Sequence, residues 1–261
     1  METLPNLEIV RAVPRAASAK DDADGQPLLE VRFSKFGEWY EIHSFFEGNF
    51  MERTDVGSFA KTISESRGQV KVLFDHGYDP TIGNKVLGTI EDLREDDDTP
   101  VGEVRMFDTS YNRDLLPGLK AGVYGSSMRM RVVKDEWNQT PARSDYNPKG
   151  LPERTIKEAR LFEFGPVTFP ANPEATSGVR SMTDEYYAEM RSRDPERVDE
   201  LKRSRESMIA LHRDEQPPAG TATTAAAAEP ATTEPAVRHS GGLSAGERRR
   251  QLNHLPERNP A

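Results

Sequence analysis

Cysteine is missing from all 261 residues. That excludes a disulfide framework, a cysteine-ligated zinc or iron–sulfur centre and a thiolate nucleophile. Long apolar runs are missing too. No stretch approaches the roughly 18 apolar residues that a membrane-spanning helix needs, and the opening METLPNLEIVRAVP lacks the apolar run of a secretory signal. Histidine is scarce. The five are His43, His76, His212, His239 and His254, no two within five positions, so HxH and HExxH metal pairs are excluded. The 19 glycines form neither a phosphate-binding loop nor a dinucleotide fingerprint. Lys and Arg number 35 against 44 Asp and Glu, and this net charge of −9 argues against a partner held by phosphate neutralisation. We therefore expect no cofactor, no metal, no direct nucleic-acid binding and no membrane.

Aromatic residues are nearly absent from the last third. All 11 Phe and both Trp lie at or before Phe169, and beyond it the only large rings are Tyr186 and Tyr187. A chain that buries its rings early divides naturally. Residues 1–27 read as a mobile leader, because RAVPRAASAKDDADGQP offers little to bury. Residues 28–180 read as the folded domain. Residues 181–215 are charge-dense with a few apolar positions at helical spacing (Val198, Leu201, Met208, Leu211), a helical segment broken near Pro195. Residues 216–261 combine a low-complexity linker, QPPAGTATTAAAAEPATTEPA, with a short C-terminal peptide.

Within 28–180, period-two alternation dominates. LLEVRF and WYEI flank a turn at Gly37; VKVLFDH, KVLGTIEDL, VGEVRMF, VYGSSMRMRVVKDEW and RTIKEARLFEFGPVTF read as further strands. TDVGSFAKTISES suits a short helix with Phe59, Ile63 and Val56 inward and Thr54 or Asp55 as its cap. TSYNRDLLPGLKAG suits another, begun by Thr109 or Ser110 and kinked or ended early by Pro117. The acidic run Glu95 to Asp98 lacks calcium-loop spacing and reads as a solvated hairpin turn. The expected fold is α+β, a compact and mostly antiparallel β-barrel of about seven strands with flanking helices and a disordered or helical C-terminal tail.

With cysteine and metal excluded, a nucleophilic mechanism falls to serine, which needs an adjacent base and a group to orient that base. His76 ends an apolar strand at a loop mouth; it is a candidate base, or a surface histidine beside Asp75 and Asp79. Ser126 and Ser127 open a strand after Gly125, as nucleophiles or as ordinary strand serines. Glu163 sits amid apolar residues in LFEFGPVTFP, as a site carboxylate or as an outward-facing strand residue.

Four segments in order resemble the prohead proteases of tailed bacteriophages, the HK97-type capsid maturation family: ERTDVGSFAKTI, VKVLFDHGYDPTIGNKVLGTI, YGSSMRMRV and EARLFEFGPVTFPANPEA. The resemblance spans about residues 28–176, and PANP after such a strand is its most distinctive element. It implies a serine endopeptidase with a fold similar to herpesvirus assemblins. By position, His76 would be the general base, Ser127 the nucleophile and Glu163 the group that orients the histidine. Arg129 and Met130 replace the family's usual glycine and phenylalanine, which keeps Ser126 as second choice; Asp75, Asp79 and Glu158 are alternative carboxylates. The resemblance further implies the major capsid protein and scaffold as substrates, self-cleavage, self-association, and a location in the host cytoplasm inside the procapsid. Members of the family are often inactive until concentrated in the shell. The competing reading is a non-catalytic assembly or scaffold protein on a degenerate protease domain.

Overall fold

Two long antiparallel strands organise the chain, β9 (Gly125–Asn138) and β10 (Glu153–Val167). The computed structural model describes residues 7–169 and 179–215. The other strands are β1 (Ile9–Val13), β2 (Ala17–Asp21), β3 (Pro27–Arg32), β4 (Tyr40–Ser44), β5 (Gly48–Thr54), β6 (Lys71–Val72), β7 (Gly88–Glu95), β8 (Pro100–Met106) and β11 (Arg180–Ser181). The helices are α1 (Ser110–Lys120), α2 (Thr183–Arg193) and α3 (Pro195–Glu215). One sheet runs β11-β1-β9-β10-β5-β4, with β6 also paired to β10, and curls nearly shut. The second runs β2-β3-β8-β7. Only β5 and β6 lie parallel to β10; every other pairing between the named strands is antiparallel, and a single parallel bridge joins Phe36 to Thr54. The expected α+β barrel-like architecture is what the structure has.

The main core follows from the alternation. Phe33 of the strand Leu29, Val31, Phe33 stacks on Phe164 of β10 with centroids 4.9 Å apart, and meets Phe59 edge-on at 5.7 Å. Offset and edge-on geometries are those the ring quadrupoles favour. α1 begins at Thr109, whose hydroxyl accepts from the Asn112 amide, and continues through Pro117 to Lys120. The proline removes the amide that would bond the Arg113 carbonyl, but the last turn is held by the Ala121 amide on the Pro117 carbonyl at 3.0 Å.

Three expectations are corrected. The leader contains structure: β1 is buried at all five positions and sits inside the large sheet between β9 and β11, while β2 edges the small one. A strand covered on both faces shows no alternation, so IVRAV carries little signal. The boundary at residue 180 falls inside the packed body, because Thr183, Tyr186, Tyr187 and Val198 are buried. Residues 183–215 are helical and broken at Pro195 as expected, but α2 packs on the β-sheet rather than trailing from it. The helix expected from Thr54 starts later, at about residue 60, with Val56 exposed. Neither Thr54 nor Asp55 caps it; instead Glu95 of the acidic run accepts from the amides of Gly57 (2.9 Å) and Phe59 (2.8 Å) in the turn that leads into it. Residues 170–178, which include PANP, and 216–261 lie outside the described residues.

A buried charge cluster ties β1 to β5 and β10. Arg11 donates to Glu52 Oε1 (2.6 Å) and to Glu47 Oε2 (2.6 Å); Arg154 donates to Glu52 Oε2 from both Nε (2.8 Å) and Nη2; the Tyr40 hydroxyl donates to Glu52 Oε1 (2.6 Å). Burial alone would push the Glu52 carboxyl up, but Arg11 and Arg154 outweigh it and hold it at about 2. A depressed folded value means stability that is fully present above the unfolded carboxylate range and lost as pH falls through about 2. Glu52→Ala leaves two buried arginines with Glu47 as their remaining close carboxylate and is expected to cost about 3 kcal/mol, read as a lower urea midpoint at pH 7. The difference between wild type and variant should shrink as the pH approaches the acid limit.

Candidate active site

β6 delivers His76 to the face of β10. After Val72 the chain crosses over Gly165, where a Cβ would lie 1.8 Å from the Leu73 carbonyl oxygen, so only glycine permits the crossing. Gly165→Ala is therefore expected to cost about 3 kcal/mol or more, seen as a fall in the urea midpoint. The turn that follows is strained. Asp75 and His76 both adopt left-handed backbone (φ 44° and 56°), as does Gly77 (φ 79°). Left-handed backbone costs roughly 1–2 kcal/mol per non-glycine residue. The surroundings hold it: the Asp75 carboxylate accepts from the Thr168 amide (3.0 Å) and hydroxyl (3.1 Å), at the end of β10. Burial raises the Asp75 carboxyl even against these two bonds.

The structure brings His76 and Glu163 together. His76 Nδ1 lies 2.5 Å from Glu163 Oε1, with the carboxylate 1% exposed. His76 Nε2 is buried and has no hydrogen-bond partner among the described residues. The ring of Tyr186, from α2, meets the imidazole edge-on at 5.8 Å. Glu163 is held on its other side by Arg129, directly opposite on β9, whose Nε is 3.5 Å from the same oxygen. Arg129 in turn bonds Glu8 at 2.5 Å. Burial pulls the Arg129 guanidinium down, but Glu163, Tyr186 and Glu8 reverse this and hold it above its ordinary value. The chain Glu8, Arg129, Glu163 thus alternates in charge and ends on the His76 imidazole.

Ser127 lies on the same face. It pairs with Gly165, two residues from the Arg129–Glu163 pair, and side chains two apart on a strand share a face. Diagonal neighbours of this kind sit about 7–8 Å apart, a span that an imidazole with a hydrogen bond at each end can fill. The Ser127 residue is fully buried, and its hydroxyl donates to the Arg11 carbonyl of β1 (3.0 Å) rather than to His76. Ser126 points to the opposite face with Met128, and its hydroxyl donates to the Arg32 carbonyl (2.5 Å). The alternative carboxylates are otherwise engaged. Asp79 accepts from the amides of its own turn, Thr81 and Ile82; Glu158 pairs with Lys134 and Lys61. His43 is exposed on β4. Among the described residues no cluster of His, Asp or Glu could hold a metal, and no helix is long and apolar enough to cross a membrane.

The profile of the caudovirus prohead serine proteases matches residues 15–189. The chain belongs to this family. The match begins within the segment read as a leader and ends in α2, in agreement with the packing of both. No curated protein matches the sequence. Among solved structures the chain is similar to the capsid assembly protease of bacteriophage T4, at 14% identity and a TM-score of 0.39, over 63% of this chain and 97% of that one. In this prohead protease the sequence missed α2 as a wall of the site. Its one signal was Tyr186 and Tyr187, the only large rings beyond Phe169.

Proposed function

We propose that this prohead protease is a serine endopeptidase in which Ser127 is the nucleophile, His76 the general base and Glu163 the group that orients the imidazole and balances its charge. The observation that carries the reading is the buried His76–Glu163 contact of 2.5 Å, with Nε2 left free on the face that Ser127 shares. With Nδ1 donating to Glu163, the neutral imidazole presents Nε2 as an acceptor. Rotation of the Ser127 side chain away from the Arg11 carbonyl would turn its proton toward that nitrogen. Ser127 Oγ then attacks the scissile carbonyl carbon, His76 takes the hydroxyl proton and returns it to the leaving amine, and water hydrolyses the acyl-enzyme by the same path. Backbone amides around the developing oxyanion are worth roughly 3–4 kcal/mol each in such reactions.

The substrates we assign are the scaffold or the scaffolding arm of the major capsid protein, and the protease itself, inside the procapsid in the host cytoplasm, where the chains self-associate. The inward-turned Ser127 suits an enzyme held idle until assembly concentrates it. Co-expression with the cognate major capsid protein tests the reading. Wild type should shorten the capsid protein or its own chain, and His76→Ala should leave both at full length. Identical band patterns for the two would leave the non-catalytic assembly protein as the function.

A further inference from the structure

We propose that α2 is part of the catalytic apparatus of this protease and that Arg193, at its C-terminal end, is the positioning residue of the His76 turn. The inference rests on His76 acting as the base. The left-handed turn over Asp75, His76 and Gly77 is tied to β10 on one side by Asp75 and Thr168. On the other side Arg193 holds it: Nη2 donates to the Tyr78 carbonyl at 2.7 Å and Nη1 to the Gly77 carbonyl at 3.3 Å. The same guanidinium lies 4.7 Å from the centroid of the Tyr78 ring, which packs against Tyr186 at 5.4 Å, and Tyr186 meets His76 edge-on. One side chain thus fixes both the backbone that carries the imidazole and the rings that border it. A planar fork suits this task, since it satisfies two carbonyls at once.

Arg193 lies just beyond residue 189, where the family match ends, at the end of the helix that the match enters. The rest of α2 is anchored independently. The Thr183 hydroxyl accepts from the Val10 amide, Asp184 accepts from the Ser44 hydroxyl and the Phe45 amide, and the Tyr187 hydroxyl donates to the Glu8 carbonyl. With its side chain 43% exposed, Arg193 can be replaced without opening the core. Its loss should free the turn alone, and a catalytic group misplaced by about 1 Å can cost on the order of 10²-fold.

The test uses the full chain and a fluorophosphonate, which reacts only with an activated serine, so no peptide substrate is needed. For Arg193→Met the maximal labelling rate should fall about 10- to 100-fold, while the half-saturating probe concentration and the thermal midpoint stay near wild type. Arg193→Lys, whose ammonium can still donate to the Tyr78 carbonyl, should recover most of the rate. Arg191→Met, on the same helix, should label like wild type. If Arg193→Met fails to fold, Arg193→Gln takes its place in the comparison with Arg193→Lys. Wild-type labelling kinetics in the variant, or equal losses with and without the lysine donor, would overturn the proposal alone. A wild-type chain inert to the probe even when assembled with its capsid protein would overturn the serine protease reading and this one with it.

Discussion

Ser127→Ala is expected to reduce capsid-arm cleavage by about 10⁶-fold, to the level left by binding and oxyanion stabilisation alone. Ser126→Ala should stay within about tenfold of wild type, the effect of a shift in the neighbouring strand position. The asymmetry comes from the register of β9. Ser127 shares a face with Arg129 and Glu163, whereas Ser126 lies with Met128 on the other and bonds the Arg32 carbonyl of β3. Alternation is strict within this paired stretch, so no side-chain rotation brings Ser126 to the imidazole. Time courses of capsid-protein shortening, read by intact mass, separate the two. Cleavage retained in Ser127→Ala and lost in Ser126→Ala would move the nucleophile and require a different register.

Glu163→Gln should lower kcat by about 10⁴-fold with KM little changed. The amide keeps the size of the carboxylate but cannot balance an imidazolium, and its NH₂ can donate to Nδ1 and drive the imidazole into the wrong tautomer. Arg129 would lose one of its two carboxylate partners and keep Glu8, so the strand should hold its place. Steady-state kinetics on a peptide spanning the cleavage site measure the effect. A loss of less than tenfold would show that the histidine is oriented by another group, although Asp75, Asp79 and Glu158 are each committed to other partners.

Parts of this arrangement were legible in the residues alone. β9 and β10 announce themselves through alternation, α1 through Thr109 and its leucines, and the break before α3 through Pro195, which suits a first helical position. His76, Ser127 and Glu163 were marked by motif order, but their mutual placement depends on non-local pairing that no local pattern contains. β1 was hidden because a strand buried on both faces has no period, and because the polar stretch after it resembles a linker. The helix α2 is legible in the residues but its packing on the sheet is not. Its packed face is short, Thr183, Tyr186, Tyr187 and Met190 in an otherwise charged helix, and its contacts to the site come from single side chains such as Arg193. The acidic run from Glu95 forms the hairpin turn between β7 and β8, and Glu95 also accepts from the amides of Gly57 and Phe59 ahead of β6. A side chain's distant partner is a property of the fold.

In the proposed mechanism the buried His76–Glu163 pair activates Ser127. Peptide mass mapping of the wild-type chain after fluorophosphonate treatment reads that activation at the residue itself. A single adduct on Ser127, absent from His76→Ala, is the predicted result; an adduct on Ser126, or none under conditions where the capsid protein is being cleaved, would contradict it.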